Sequence, residues 1–85
     1  MTPEVLLTIW RHGEAAFAAR DADRELTEPG RDEVTVAAAA FTRWLKQSGL
    51  PQVEQLRHSP LTRTSQTAAI LRDVLRPMSC VADQL

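Results

Sequence analysis

Short apolar runs alternate along this chain with longer segments of helical apolar spacing, and this alternation constrains the fold more than any other feature. Residues 4–10 contain the run VLLTIW, whose length and β-branched residues are typical of a strand buried on both faces. Residues 53–59 predict a second, shorter strand and residues 79–82 the start of a third, and a helical segment precedes each of them. The order β-α-β-α-β predicts an α/β fold, in which helices flank a parallel sheet with right-handed crossovers.

The two predicted helices have recognisable boundaries. Thr27 is a suitable N-cap for the first helix, and Gly49 with Pro51 ends it. The second helix is expected over residues 60–75, and Pro77 prevents it from continuing. The apolar positions of both helices, with Trp10, form the predicted core: Trp10, Val34, Ala37, Ala38, Ala40, Phe41, Trp44, Leu45, Ala68, Ala69, Ile70, Leu71, Val74 and Leu75.

Composition limits the class of protein and its partners. The chain has 85 residues, which allow one small domain with a thin core. Ten basic and eleven acidic side chains give a net charge of −1, so we expect no attraction to nucleic acid or to an anionic membrane. No apolar run approaches the roughly 18 residues that a membrane span needs, and no signal peptide is recognisable. Cys80 is the only cysteine, so we expect a buried, unbridged thiol in a cytoplasmic protein.

Polar clusters follow the first two predicted strands. Arg-His-Gly-Glu stands at residues 11–14, and Ser-Pro-Leu-Thr-Arg stands at residues 59–63. Since the carboxyl ends of parallel strands meet at one edge of a sheet, we expect His12 and two arginines, Arg11 and Arg63, to converge there. The charged run at residues 20–25 is expected to be a solvated loop that could border this site.

One imidazole and two guanidinium groups are suited to phosphoryl chemistry. Each guanidinium presents a planar fork of donors that matches phosphate oxygens. A neutral imidazole of His12 between two such forks can attack phosphorus in line, and water can hydrolyse the resulting phosphohistidine. Gly13 lets the backbone approach the ligand closely. Arg63 lies in the first turn of the second predicted helix, where the helix dipole favours an anion.

These motifs resemble the signatures of the histidine phosphatase superfamily, which includes the phosphoglycerate mutases and the acid phosphatases. Arg11-His12-Gly13 is similar to the first signature of that superfamily. Residues 26–30 and 59–68 are similar to SixA-type phosphohistidine phosphatases, whose second motif reads Ser-Pro-x-x-Arg-x-x-Gln-Thr. Every fixed position of that motif is matched here. The resemblance runs from about Val5 to the C-terminus, and it implies a phosphoglycerate mutase-like fold.

The resemblance implies a role for each matched residue. His12 would be the nucleophile that accepts the phosphoryl group, and Arg11 and Arg63 would bind the phosphate. Gly13 and Glu14 would complete the phosphate- or substrate-binding set. Glu14 stands where SixA-type members carry an acid, and a solvated loop carboxylate is the alternative interpretation. No metal or organic cofactor is implied.

The activity implied is hydrolysis of phosphohistidine on a protein, such as a phosphorelay domain, in signal transduction. Family members carry a second histidine near the end of the domain, whereas the only histidine here besides His12 is His58. We therefore expect residues 1–85 to be the N-terminal part of a single histidine phosphatase domain. Two alternatives remain open, namely a phosphomonoesterase for a small phosphorylated substrate and a catalytically incomplete phosphate-binding fragment. Exposed sheet edges could also pair two copies as a dimer.

Overall fold

The computed structural model describes residues 6–84, and it shows two helices and two strands in an α/β arrangement. The elements in chain order are a 3₁₀ turn at Asp21–Asp23, α1 at Glu28–Gln47, β1 at Gln55–His58, α2 at Thr62–Leu75 and β2 at Ser79–Ala82. The strands pair in parallel, with Leu56 opposite Cys80, and α2 is the crossover between them. The predicted α/β class with a parallel sheet is confirmed.

The boundaries of α1 follow from its capping residues. The Thr27 hydroxyl accepts the backbone N–H of Gly30 at 3.0 Å, and Pro29 occupies the first turn, where its missing N–H costs nothing. The helix ends at Gln47, and Gly49 follows with a φ of +67°. Only glycine adopts this left-handed conformation without strain, so the chain reverses here.

The core lies between α1 and α2. Val34 and Ala38 of α1 pack with Leu71 of α2, and Trp10 and several partly buried apolar residues surround them. The Trp10 ring meets Phe41 edge to face, with centroids 5.4 Å apart. The buried stripe is narrower than predicted, because α1 packs mainly on a single helix: Ala37, Ala40 and Trp44 are exposed.

The first predicted strand is wrong over the part of it that the structure describes. Residues 6–10 belong to no strand, and Leu7 and Ile9 are 82% and 88% exposed. Residues 4 and 5 lie outside the described residues. A run of apolar side chains becomes a buried strand only when a neighbouring strand pairs with its backbone. The described sheet contains β1 and β2 alone, and within this segment only Trp10 reaches the core.

Cys80 is exposed, contrary to the prediction of a buried thiol. It lies on β2, where all four residues are exposed. The described sheet has only two strands, so each of them is an edge strand with one side unpaired. A small apolar residue on such a strand is buried only where another element covers it. Within residues 6–84, no helix is long and apolar enough to cross a membrane.

Candidate functional site

The loop that carries His12 follows directly after Trp10. The ring is exposed, and its Nδ1 lies 2.8 Å from the carbonyl oxygen of Gly13. Because a carbonyl oxygen only accepts, Nδ1 carries the proton of the neutral ring. The lone pair therefore resides on Nε2. This is the tautomer that a histidine nucleophile attacking through Nε2 requires.

Gly13 is buried against the N-terminal half of α1. A Cβ atom at this position would lie 2.9 Å from the carbonyl oxygen of Gly30 and 2.9 Å from the Val34 side chain. Such distances are shorter than normal van der Waals contact, so only glycine fits without displacement. The close packing of this residue fixes the backbone on which His12 is carried.

A single hydroxyl joins this loop to α2. The backbone N–H of Gly13 donates to Thr67 Oγ1 at 3.1 Å, and this hydroxyl donates to the carbonyl oxygen of Arg63 at 2.8 Å. Thr67 is buried. The backbone of the first polar cluster therefore lies against the first turns of α2, where the second cluster ends.

Arg63 is in the first turn of α2, and its side chain is only 14% exposed. Its Nη1 donates to the carbonyl oxygen of Asp21 at 2.9 Å, and its Nη2 donates to Asp21 Oδ2 at 3.1 Å. Hydrogen bonding from Arg63, its charge and, less strongly, Arg24 lower the pKa of the Asp21 carboxyl group below its ordinary value. Residues 20–25 form a largely exposed loop, as expected, and this loop also supplies a partner for Arg63.

Two further side chains hold the loop between His12 and α1. Arg24 donates from Nε to the carbonyl oxygen of Ala16 at 2.9 Å and from Nη2 to that of Ala15 at 3.2 Å. Gln66 Oε1 accepts the backbone N–H of Leu26 at 2.7 Å. The loop is thus attached to α2 as well as to the segment that follows His12.

Glu14 is exposed but hydrogen-bonded. Its Oε1 accepts the hydroxyl proton of Thr27 at 2.9 Å, and the same hydroxyl caps α1 by accepting from Gly30. The Glu14 carboxylate therefore lies at the N-terminus of α1, where the helix dipole favours negative charge. Glu14 is therefore not a freely solvated carboxylate, because it holds the hydroxyl that caps α1.

Arg11 of the first cluster and His58, which directly precedes the second cluster, differ in their surroundings. Arg11 is exposed. His58, at the end of β1, is half-buried, and its Nδ1 lies 2.8 Å from the carbonyl oxygen of Ser59. This ring has the same local geometry as His12 in a different motif. Within residues 6–84, no cluster of three His, Cys, Asp or Glu side chains is arranged to hold a metal ion.

Three residues that connect the site had no role among the predictions from the sequence. Gln66 and Thr67 are fixed positions of the second motif, and they follow Arg63 by three and four residues. This spacing places them on the same helix face as Arg63, a signal from which their connecting role could have been inferred. Asp21 had no such signal, because 42 positions separate it from the arginine that it binds.

The chain is similar to known proteins over most of its length. The family model described as histidine phosphatase superfamily (branch 1) matches residues 7–84. A search of curated protein sequences finds no significant match.

Solved structures of SixA proteins resemble most of the described fold. The protein histidine phosphatase SixA complexed with tungstate is 36% identical with a TM-score of 0.67, over 85% of this chain and 44% of that chain. A protein from Nakamurella multipartitia, assigned as phosphohistidine phosphatase SixA, is 32% identical with a TM-score of 0.60, over 87% and 37%. A protein with the same assignment from Agrobacterium tumefaciens is 27% identical with a TM-score of 0.65, over 85% and 46%. The chain spans less than half the length of each of these three proteins.

Proposed function

The chain belongs to the histidine phosphatase superfamily (branch 1), and from that membership we propose that it is a phosphatase acting on protein phosphohistidine. The SixA-type resemblance read from the motifs agrees with the solved neighbours, two of which are assigned as phosphohistidine phosphatases. A third neighbour is complexed with tungstate, a tetrahedral oxyanion like phosphate. The proposed partner is a phosphohistidine-bearing protein domain, and the proposed setting is cytoplasmic signal transduction.

The proposed reaction has two displacements at phosphorus. Nε2 of His12 attacks the phosphoryl group, the phosphorus–nitrogen bond of the substrate breaks, and the departing nitrogen takes up a proton from solvent. Water then attacks phosphorus, the bond to Nε2 breaks with its electron pair returning to the ring, and inorganic phosphate and a proton are released. Arg11 and Arg63 bind the phosphoryl oxygens and offset the charge that develops on them.

The observation that carries this proposal is the hydrogen-bonded link through Thr67. It joins the backbone next to His12 to the backbone of Arg63, over 3.1 Å on one side and 2.8 Å on the other. A nucleophile and a phosphate-binding group from distant parts of the chain are thereby anchored to one buried hydroxyl. The proton on Nδ1 of His12 further supports the proposal, because it leaves Nε2 free to attack.

The proposal is tested with His12→Ala and a matched control, His58→Ala. The control removes a ring with the same Nδ1–carbonyl geometry from the other motif. We expect the parent and His58→Ala to release phosphate from a phosphohistidine peptide and to carry an acid-labile phosphoryl group on His12. We expect His12→Ala to do neither. Equal phosphate release by His12→Ala, or labelling of His58, would show that the nucleophile is assigned wrongly.

A second candidate function is phosphate binding without turnover. It is favoured by the coverage of the solved neighbours, because the chain spans only 37%, 44% and 46% of their lengths. In this case the chain would bind inorganic phosphate through Arg11 and Arg63, and phosphate release would stay at background. Sugar phosphates in the same assay separate a small-molecule phosphomonoesterase from the phosphohistidine enzyme.

A further inference from the structure

The guanidinium of Arg63 is held along only one of its edges. Nη1 and Nη2 donate to the carbonyl oxygen and to Oδ2 of Asp21, at 2.9 and 3.1 Å. Among the described residues, the hydrogen bonds of this guanidinium run to Asp21 alone. The side chain is largely buried, so the orientation of its planar group is set by this one partner.

A guanidinium offers two forks of parallel donors, and Asp21 uses only one of them. The end-on fork consists of one N–H from each terminal nitrogen, and this is the fork that Asp21 occupies. The side-on fork consists of Nε–H and the other N–H of Nη2. Two parallel donors at this spacing match two oxygens of a phosphoryl group. Asp21 can therefore remain bound while Arg63 binds phosphate.

Asp21 is itself fixed in place by the 3₁₀ turn that it begins. Its carbonyl oxygen, which Arg63 contacts, also accepts the backbone N–H of Arg24 at 3.2 Å. Its carboxylate lies 3.5 Å from Nη1 of Arg24. Nε and Nη2 of Arg24 donate hydrogen bonds to the carbonyl oxygens of Ala16 and Ala15. The support of Arg63 is thus connected to the segment that follows His12, three residues from the ring.

We propose that Asp21 is a positioning residue, which holds Arg63 by its end-on fork and presents the side-on fork to the phosphoryl group. The inference rests on the proposed function, because it takes Arg63 to be a phosphate-binding group. The alternative is that the Asp21 carboxylate competes with phosphate for Arg63. The two roles predict opposite effects of removing the carboxylate on phosphate affinity. Removing a competitor would strengthen phosphate binding. Removing the Asp21 carboxylate as a support weakens it, because Arg63 then keeps only its hydrogen bond to the backbone carbonyl oxygen of residue 21 and the fork is held less firmly.

Titration of inorganic phosphate, followed by ³¹P NMR, tests the inference on the full chain. We expect Asp21→Ala to weaken phosphate binding about three- to tenfold, which is the range for loss of one charged hydrogen bond at a partly exposed site. Asp21→Asn keeps the shape and one acceptor, so a smaller loss is expected. Asp23→Asn is the matched control, because Asp23 lies in the same turn and pairs only with exposed Arg20, at 3.6 Å. We expect this variant to bind phosphate as the parent does.

A second readout reports on Arg63 directly. Side-chain ¹⁵N NMR of the arginines measures how fast each guanidinium rotates about its Cζ–N bonds. We expect Arg63 to rotate slowly in the parent and in Asp23→Asn, and faster in Asp21→Asn, which is nearly isosteric and therefore preserves the fold.

The outcomes separate this inference from the proposed function. Unchanged or tighter phosphate binding in Asp21→Asn and Asp21→Ala overturns the positioning role while leaving the function intact. Rotation of the Arg63 guanidinium in Asp21→Asn that is as slow as in the parent overturns the positioning role as well. A parent that binds no phosphate overturns both proposals. A parent that binds phosphate and responds to Asp21, but never carries phosphate on His12, overturns the reaction alone.

Discussion

The backbone N–H of Gly13 donates to the hydroxyl of Thr67 over 3.1 Å, although 54 positions separate the two residues in the sequence. The same hydroxyl donates its proton to the backbone carbonyl oxygen of Arg63, in the preceding turn of α2. A hydroxyl can do both because it has one proton and two lone pairs. The hydrogen-bonded connection between the His12 loop and α2 therefore depends on one buried oxygen atom.

Thr67→Val tests that dependence. Valine keeps the shape of threonine but leaves the buried N–H of Gly13 without an acceptor, so we expect the free energy of unfolding to fall by about 1–3 kcal/mol. Urea denaturation measures this loss. Thr35→Val is the control, because its hydroxyl also donates to the carbonyl four residues earlier but is exposed. That substitution should change stability by no more than about 0.5 kcal/mol. Equal effects of the two substitutions would contradict the structural role of Thr67.

Gly13→Ala tests the close approach of the His12 loop to α1. The new methyl group would lie 2.9 Å from both the Gly30 carbonyl oxygen and the Val34 side chain. Backbone must move to relieve this contact, so we expect a loss of about 1–3 kcal/mol in urea denaturation and a displaced His12. Gly49→Asn is the control, since nothing lies within 4 Å of its Cβ position and asparagine tolerates positive φ. A stability of Gly13→Ala equal to that of this control would refute the packing argument.

The ion pair between Arg57 and Asp83 predicts how stability depends on pH. Hydrogen bonding from Arg57, with the charges of Arg57 and His58, holds the pKa of Asp83 below its ordinary value of 3.8. A carboxyl group with a depressed pKa in the folded state stabilises the fold above the unfolded pKa. That contribution is lost as the pH falls through the folded pKa, so the relevant range lies below 3.8.

Asp83→Asn should therefore destabilise the chain at neutral pH, and its difference from the parent in stability should shrink as the solution is acidified through that range. Urea midpoints measured as a function of pH give both quantities. Asp73→Asn is the control, because Asp73 is largely exposed and lies 3.8 Å from its arginine partner. We expect it to follow the pH profile of the parent. A profile of Asp83→Asn that stays parallel to the parent throughout would show that this ion pair contributes nothing.

Local signals predicted most of the secondary structure. Thr27 marks the start of α1 through an interaction that spans three residues, and Gly49 marks its end through its own φ. A third strand was expected to start at residues 79–82, and β2 lies there. Such features depend on neighbours within one helical turn, so a short stretch of sequence contains all the information they need.

Burial was predicted less well than secondary structure. The apolar run at residues 6–10 and the thiol of Cys80 were both expected inside, and both are exposed except for Trp10. Residue type shows how favourable burial would be, but it does not show which surface is available to cover the side chain. Among the described residues, apolar side chains are covered mainly between α1 and α2, and only a few residues are fully buried there.

The sequence by itself was sufficient to identify the two motifs, the order of the two helices and the two paired strands, and the types of side chain at the proposed site. Their residue identities and spacing indicate phosphoryl chemistry because guanidinium forks and an imidazole have fixed chemical properties. Only the tertiary structure decided that Thr67 joins the motifs and that Asp21 holds Arg63, contacts that span 54 and 42 positions. Contacts of this kind form only when packing brings distant segments together, so no local pattern in the sequence specifies them.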